Sequence, residues 1–435
     1  MPVVGQMCSR LGQYPESSNF VPCMENQHIF TLSNGIRAVY QQVASTKIFH
    51  CGVFLDVGSR DESTANQGIA HFWEHMAFKG THKRSLIHII SSLDAIGGEL
   101  NAFTDKERIV FYASVRDQYA ERAMDVLADI TFNSIFPKEQ IEKERGVILE
   151  EMAMYLDNPD DSLHDEFEAV MYKNHPMGMN ILGKPETIKS FKRNDFLNFF
   201  KNHVDTRRIV FSCVGNLPID QVARLAEKYF EVGKAERKVV RMKVRGYKPR
   251  EKELHRPVKQ AKCAIGGDAY PMLHDNRIPF YLLVNMLGGP GMNSRLNLSL
   301  REKYGFVYSI DAHYMPYTDT GMFAVFFGTD PKQLDKAINL VHKELNKFTE
   351  KPLSSRQLNA GKEQIKGQLA MTEENNLSHM MMMGRSILNR GSVPTLEEIF
   401  QTIDETTAVK LQAIAQEMFD PKKLSYLKMV PGKKT

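Results

Sequence analysis

The second half of this chain repeats the pattern of its first. FYASVRDQYAERAMDVLADI at 111–130 is echoed by FAVFFGTDPKQLDKAINLVHKEL at 323–345, each a strand, an Asp-containing turn and an amphipathic helix. EQIEKERGVILEEMAM at 139–154 is echoed by RQLNAGKEQIKGQLAM at 356–371, in a register that sets Glu144 against Gly361 and Glu151 against Gln368. The period of roughly 215 residues is far longer than a solenoid repeat, so it marks a duplicated domain. The predicted fold is α+β: two homologous domains, each a mainly antiparallel β-sheet flanked by helices. At 435 residues the chain is also long enough to ask for two cores.

Alternating apolar residues predict strands across 29–57, with Asn34 and Gly35 turning a hairpin. Helices are expected near 65–79 and 85–96, the second stopped by Gly97 and Gly98. ELNAFTDKERIVFYASV reads as two strands around a turn, and helices follow near 117–133 and 138–156. RRIVFSCVGNL reads as a buried strand ending in a turn. Between 233 and 257 ten Lys or Arg stand against three Glu with almost no apolar periodicity, as in a solvated linker. The expected divisions are an N-terminal extension at 1–27, a first domain at 28–232, that linker, and a second domain at 258–435.

A net charge of +4 is too small to imply a nucleic-acid partner, and no motif for RNA or DNA is present. No apolar run of about 18 residues exists, so no membrane span is expected. The first twenty residues lack the pattern of a secretory or mitochondrial leader, and the expected location is cytoplasmic. The five cysteines are scattered, without C-x-x-C spacing, and read as reduced thiols.

The chemistry concentrates in GIAHFWEHMAFKG at 68–80. On a helix, His71 and His75 lie about 40° apart, so both imidazoles can reach one ion. Glu74 lies about 60° to the other side of His71, placed to sit near a metal without necessarily binding it. A catalytic zinc takes three protein ligands and keeps one open position, so a third ligand must come from elsewhere. On the 138–156 helix, Glu144 and Glu151 share a face while Glu150 points roughly 100° away. Such a pair suits a third ligand plus a carboxylate that holds a ligand histidine. Geometry nominates both but does not order them. The H-x-x-E-H string is the inverted zincin spacing. The equivalent helix of the second copy, IPFYLLVNMLGG at 278–289, has no such motif.

HFWEHMAFKGT, ELNAFTDKERIVFYASV and EKERGVILEEM together resemble the pitrilysin/insulinase family of metallopeptidases, most closely its short-chain, processing-peptidase-like branch. The likeness runs over roughly residues 28–430. It implies one zinc ion per chain held by His71, His75 and Glu151, with Glu74 as general base and Glu144 in support. Trp73 stands where the family usually has an aliphatic residue, and core packing is its expected role. LGGPGMNSRLNLSLREKYGFVYSIDA at 287–312 reads as a glycine-rich turn, a helix and a strand. Its Arg301 and Tyr308 resemble the family's Arg/Tyr pair, which contacts substrate and supports the transition state. The strand at Asn101, Ala102 and Phe103 resembles the family's edge strand, to which a peptide adds by backbone pairing.

The resemblance further implies a zinc-dependent endopeptidase acting on peptides or extended segments in a chamber formed by a dimer. A homodimer with two composite sites is the simplest case, and a heterodimer with a homologue is the variant. The competing reading is a non-catalytic, peptide-binding or structural subunit of an active homologue.

Overall fold

The computed structural model describes residues 21–24, 26–237 and 240–432. Most of the expected N-terminal extension therefore lies outside the described residues. The first half runs β1 (Val21–Met24), β2 (Gln27–Thr31), β3 (Arg37–Gln42), β4 (Ile48–Leu55), α1 (Ile69–Ala77), α2 (Leu86–Asp94), β5 (Glu99–Thr104) and β6 (Ile109–Arg116). It continues α3 (Ala120–Phe132), α4 (Lys138–Asp157), α5 (Pro159–Met171), α6 (Pro185–Ser190), α7 (Arg193–His203), β7 (Ile209–Gly215) and α8 (Ile219–Tyr229). The second half runs β8 (Glu251–Arg256), β9 (Ala261–Asp268), α9 (Arg277–Gly288), β10 (Val307–Pro316), β11 (Gly321–Thr329) and α10 (Leu334–Glu350). It closes with α11 (Ser355–Glu373), α12 (Asn376–Arg390), α13 (Leu396–Glu405), α14 (Ala408–Met418) and β12 (Ser425–Pro431).

The two sheets carry one topology. The first is ordered β1-β2-β3-β7-β4-β6-β5 and the second, read from its other edge, β8-β12-β9-β11-β10. In each, a single parallel pair, β3 with β7 or β8 with β12, is followed by antiparallel pairs. The duplication read from sequence is thus a duplication of strand order, with β1 and β2 added to the first copy. Gly35, at φ +93°, makes the β2–β3 hairpin turn that an L side chain would strain. β7 is buried at every residue because it lies between two strands with both faces covered.

Each sheet buries one face against its own helices. The other face is closed by the opposite half. Phe167, Val170 and Met171 of α5 pack on Ala264, Phe326 and Leu427 of the second sheet. Met380, Met383 and Ile387 of α12 pack on Val39, Phe54, Val210 and Val214 of the first. A Cβ at Gly384 would come within 2.3 Å of the Phe54 ring, so glycine lets α12 seat there.

The basic segment differs from its expected form as a solvated linker. Its last residues, Glu251–Arg256, form β8, an edge strand paired parallel with β12. Only the backbone is satisfied there, and the side chains alternate between exposed and half-buried, so no apolar pattern marks it. Arg241 is gripped by Asp56 at 2.6 Å and Asp61 at 2.8 Å. A second lock joins the halves: buried Arg60 meets Glu107 at 2.5 Å and Asp319 at 2.9 Å, while the Thr318 backbone N–H donates to Glu107. Among the described residues no helix is long and apolar enough to cross a membrane.

Candidate metal centre

Helix α1 begins at Gly68, whose φ of +94° turns the chain into it. The buried Glu62 carboxylate accepts the Gly68 and Ala70 backbone N–H groups, each at 2.8 Å, and so fixes this end. Burial pushes the Glu62 carboxyl up to about 8, with those two donors pulling the other way. Phe72, Trp73 and Met76 anchor α1 in the core. Trp73 sits edge-on to Phe199 and Phe200 at ring distances of 6.2 and 5.4 Å, so its role is packing.

The opposite stripe of α1 meets α4. The buried side of α4 carries Ile141, Glu144 and Ile148, and half-buried Glu151 continues it. These positions follow the three-and-four spacing of one helical face. The isoleucines pack and the two glutamates of that face reach the histidines. Glu150 is exposed, as its angle around the helix predicts.

The structure separates the two carboxylates that spacing alone leaves equivalent. Glu144 Oε1 lies 2.9 Å from His75 Nδ1, and its Oε2 takes the Lys79 ammonium at 2.6 Å. Glu151 Oε2 lies instead on the Nε2 side, 3.7 Å from His71 and 3.5 Å from His75. Single ligand atoms of His71, His75 and Glu151 all fall within 4.8 Å of one another. Four-coordinate zinc, with bonds near 2.1 Å, sets its ligand atoms about 3.4 Å apart, so these three residues fit the ion. Burial, then repulsion from His75, holds His71 down to about 3, which leaves its imidazole neutral and able to ligate. Burial pushes Glu144 up, but the hydrogen bonds from His75 and Lys79 outweigh it and hold the carboxyl below its ordinary range. An ionised Glu144 accepts the Nδ1 proton of His75 and turns Nε2 towards Glu151. His71 Nδ1 is buried without a hydrogen-bond partner among the described residues.

Glu74 stands beside this cluster. Its Oε2 accepts the Thr104 hydroxyl at 2.5 Å. Burial raises its carboxyl, with the Thr104 hydrogen bond acting in the opposite direction. Thr104 ends β5, the strand that carries Asn101, Ala102 and Phe103. β5 is the last strand of its sheet and pairs only with β6, so one backbone edge is unpaired among the described residues. Thr104 was not singled out from sequence. The available signal was strand alternation, which puts it on the face opposite Asn101 and Phe103. Glu62 lies outside the quoted motifs, and Lys79 lies within HFWEHMAFKGT without a role that spacing assigns; both contacts appear only in three dimensions.

Arg301 and Tyr308 lie elsewhere in the chain. The helix expected after the glycine-rich turn is wound as a π-helix over Asn297–Lys303. The Arg301 guanidinium is 5.8 Å from the Tyr308 ring centre, and Tyr308 is 84% exposed. Among the described residues neither forms a hydrogen bond or ion pair with the histidine cluster; the ion pair of Arg301 is with Glu302 at 3.6 Å.

Residues 37–185 match the family described as Insulinase (Peptidase family M16), and residues 190–365 match the Peptidase M16 inactive domain. The chain is 34% identical to the uncharacterized zinc protease YmxG of Bacillus subtilis, covering 90% of this chain and 95% of that one. It is 32% identical to an uncharacterized zinc protease of Rickettsia felis, covering 91% and 95%. Among solved structures, a peptidase M16 inactive domain from Pseudomonas fluorescens superposes with a TM-score of 0.87 at 16% identity, covering 94% of this chain and 98% of that one. A protease from Helicobacter pylori superposes at 0.85 with 21% identity, covering 93% and 99%. These two structures support the fold.

Proposed function

The chain belongs to the insulinase (M16) peptidase family, and from that premise we propose that it is a zinc-dependent endopeptidase of extended peptides. The observation that carries this reading is the convergence of His71 Nε2, His75 Nε2 and Glu151 Oε2, with Glu74 alongside. Zinc held by these three residues would supply Lewis acidity towards the scissile carbonyl and the attacking water. Glu144 holds the His75 ring, and Thr104 holds Glu74 by Oε2, leaving Oε1 to take a proton from the water and return it to the leaving amine. The peptide backbone pairs with the open edge of β5 at Asn101, Ala102 and Phe103. That pairing demands an extended segment, so folded domains are poor substrates.

Arg301 and exposed Tyr308 complete the site from a second subunit, where they would meet the developing oxyanion or the substrate backbone. A homodimer gives two such composite sites. The test is turnover of a quenched fluorescent peptide library by purified protein, with chelator and then with zinc restored. Zinc-dependent cleavage is expected. Zinc at one per chain with no peptide cleaved would instead favour the non-catalytic, peptide-binding reading.

A further inference from the structure

A cavity of about 870 Å³ opens between the β5–β6 turn, the end of β10 and one face of α12. Its wall begins at Asp105, the residue after the threonine that holds Glu74. Five cations line it, Lys106, Arg108, Arg277, Arg385 and Arg390, against two carboxylates. Both carboxylates are taken: Asp105 by Arg108 at 2.8 Å and Glu168 by Lys106 at 2.8 Å. Among the described residues Arg277, Arg385 and Arg390 have no carboxylate partner. Arg108 is only 8% exposed, and its Nη1 is buried with no hydrogen-bond partner among the described residues. Burial and then the neighbouring Arg390 depress Arg277, with Tyr314 acting the other way; burial and then Arg108 depress Arg385 against the opposing pull of Asp105, and in both the net shift is downward. An uncompensated cluster of this kind is stabilised by a bound anion.

Position and shape identify the anion. Side chains alternate along a strand, so Thr104 turns towards Glu74 while Phe103 turns towards α12. The Arg385 guanidinium lies 6.0 Å from the Phe103 ring centre. A peptide paired with β5 alternates in the same way, sending every second side chain to the α12 side. The four consecutive methionines of α12 divide between two faces: Met380 and Met383 enter the core, while Met381 and Met382 line the cavity. Thioether walls accept varied aliphatic stems, and the arginines take the charge at the end.

We propose that this cavity is a subsite for a peptide carboxylate, either an acidic side chain a few residues from the cleaved bond or the free C-terminus. The inference rests on the peptidase reading for its substrate, and the test separates the two. One peptide series places Glu or Gln at successive positions around the cleaved bond, with the C-terminus amidated. A second compares free acid with amide. kcat/KM is measured on the zinc-loaded protein, and Kd by fluorescence anisotropy on the Glu74→Gln chain.

The carboxylate member is expected to be preferred roughly tenfold in one series, which names the source. The ratio should fall below about twofold in Arg385→Gln and Arg277→Gln and be partly kept in Arg385→Lys. Because each readout is a ratio within one variant, general damage cancels. Equal Kd and equal kcat/KM within both series, or a preference unchanged by both Gln substitutions, would overturn the subsite. Cleavage without preference leaves the peptidase reading standing and removes this one. A Kd preference without cleavage does the reverse.

Discussion

The centre depends on which nitrogen each carboxylate faces. Glu144 and Glu151 are seven residues apart on one helix face, and spacing cannot say which supports and which ligates. Register against α1 distinguishes them: Glu144 meets Nδ1 of His75 and Glu151 meets Nε2, which is why Glu151 is the proposed ligand. Glu144→Ala is expected to weaken zinc binding about 10–100-fold by freeing the His75 ring, which competition with a zinc-chelating dye measures. A half-buried carboxylate outside the centre adds a pH dependence of its own. Burial, then Glu168, raises Asp165 to about 6 from an ordinary 3.8. A raised carboxyl binds its proton more tightly in the folded state, so this group's contribution to stability is greatest below pH 3.8 and declines as pH rises towards 6. It is then flat. Asp165→Asn removes the penalty and should raise unfolding free energy at pH 7 by up to about 3 kcal/mol, with little change at pH 3.5. Urea melts at the two pH values check this. An equal gain at both would refute it.

At the scale of elements, legibility followed apolar pattern. α3 and α4 could be read because each buries a periodic apolar face, and β4 and β7 because their apolar runs are buried on both sides of the sheet. β8 could not, because EKELHR joins its sheet by backbone pairing and shows the core little side chain. The exchange of α5 and α12 between halves was equally hidden, since an amphipathic stripe does not name its partner sheet. Gly384 makes the second exchange possible. Gly384→Ala should cost about 1–3 kcal/mol, because the new methyl must displace Phe54 or lift α12. Thermal melts report it, and an unchanged midpoint would mean the contact relaxes freely.

For the whole molecule, duplication explains both what the second half keeps and what it lacks. Strand order is preserved, but where α4 sets Glu144 against His75, α11 sets Gly361 against Met286 of α9, whose sulfur a Cβ there would approach to 2.6 Å. Apolar packing has taken the place of a polar centre, and the missing motif in IPFYLLVNMLGG foretold it. Among the described residues Arg301 and Tyr308 form no hydrogen bond or ion pair with the histidines of their own chain, in keeping with the composite site proposed from the family resemblance. Mixing inactive Glu74→Gln and Tyr308→Phe chains should then restore up to about a quarter of wild-type turnover, since half the dimers are mixed and each regains one of two sites. No recovery after verified subunit exchange would place Tyr308 outside the partner's site.

The most direct measurement is zinc content and peptide turnover on the same samples of wild-type and Glu74→Gln protein. One zinc per chain in both, with turnover reduced about 10²–10⁴-fold in the variant, is the predicted result. Full activity in Glu74→Gln, or wild-type protein that binds no zinc, would contradict it.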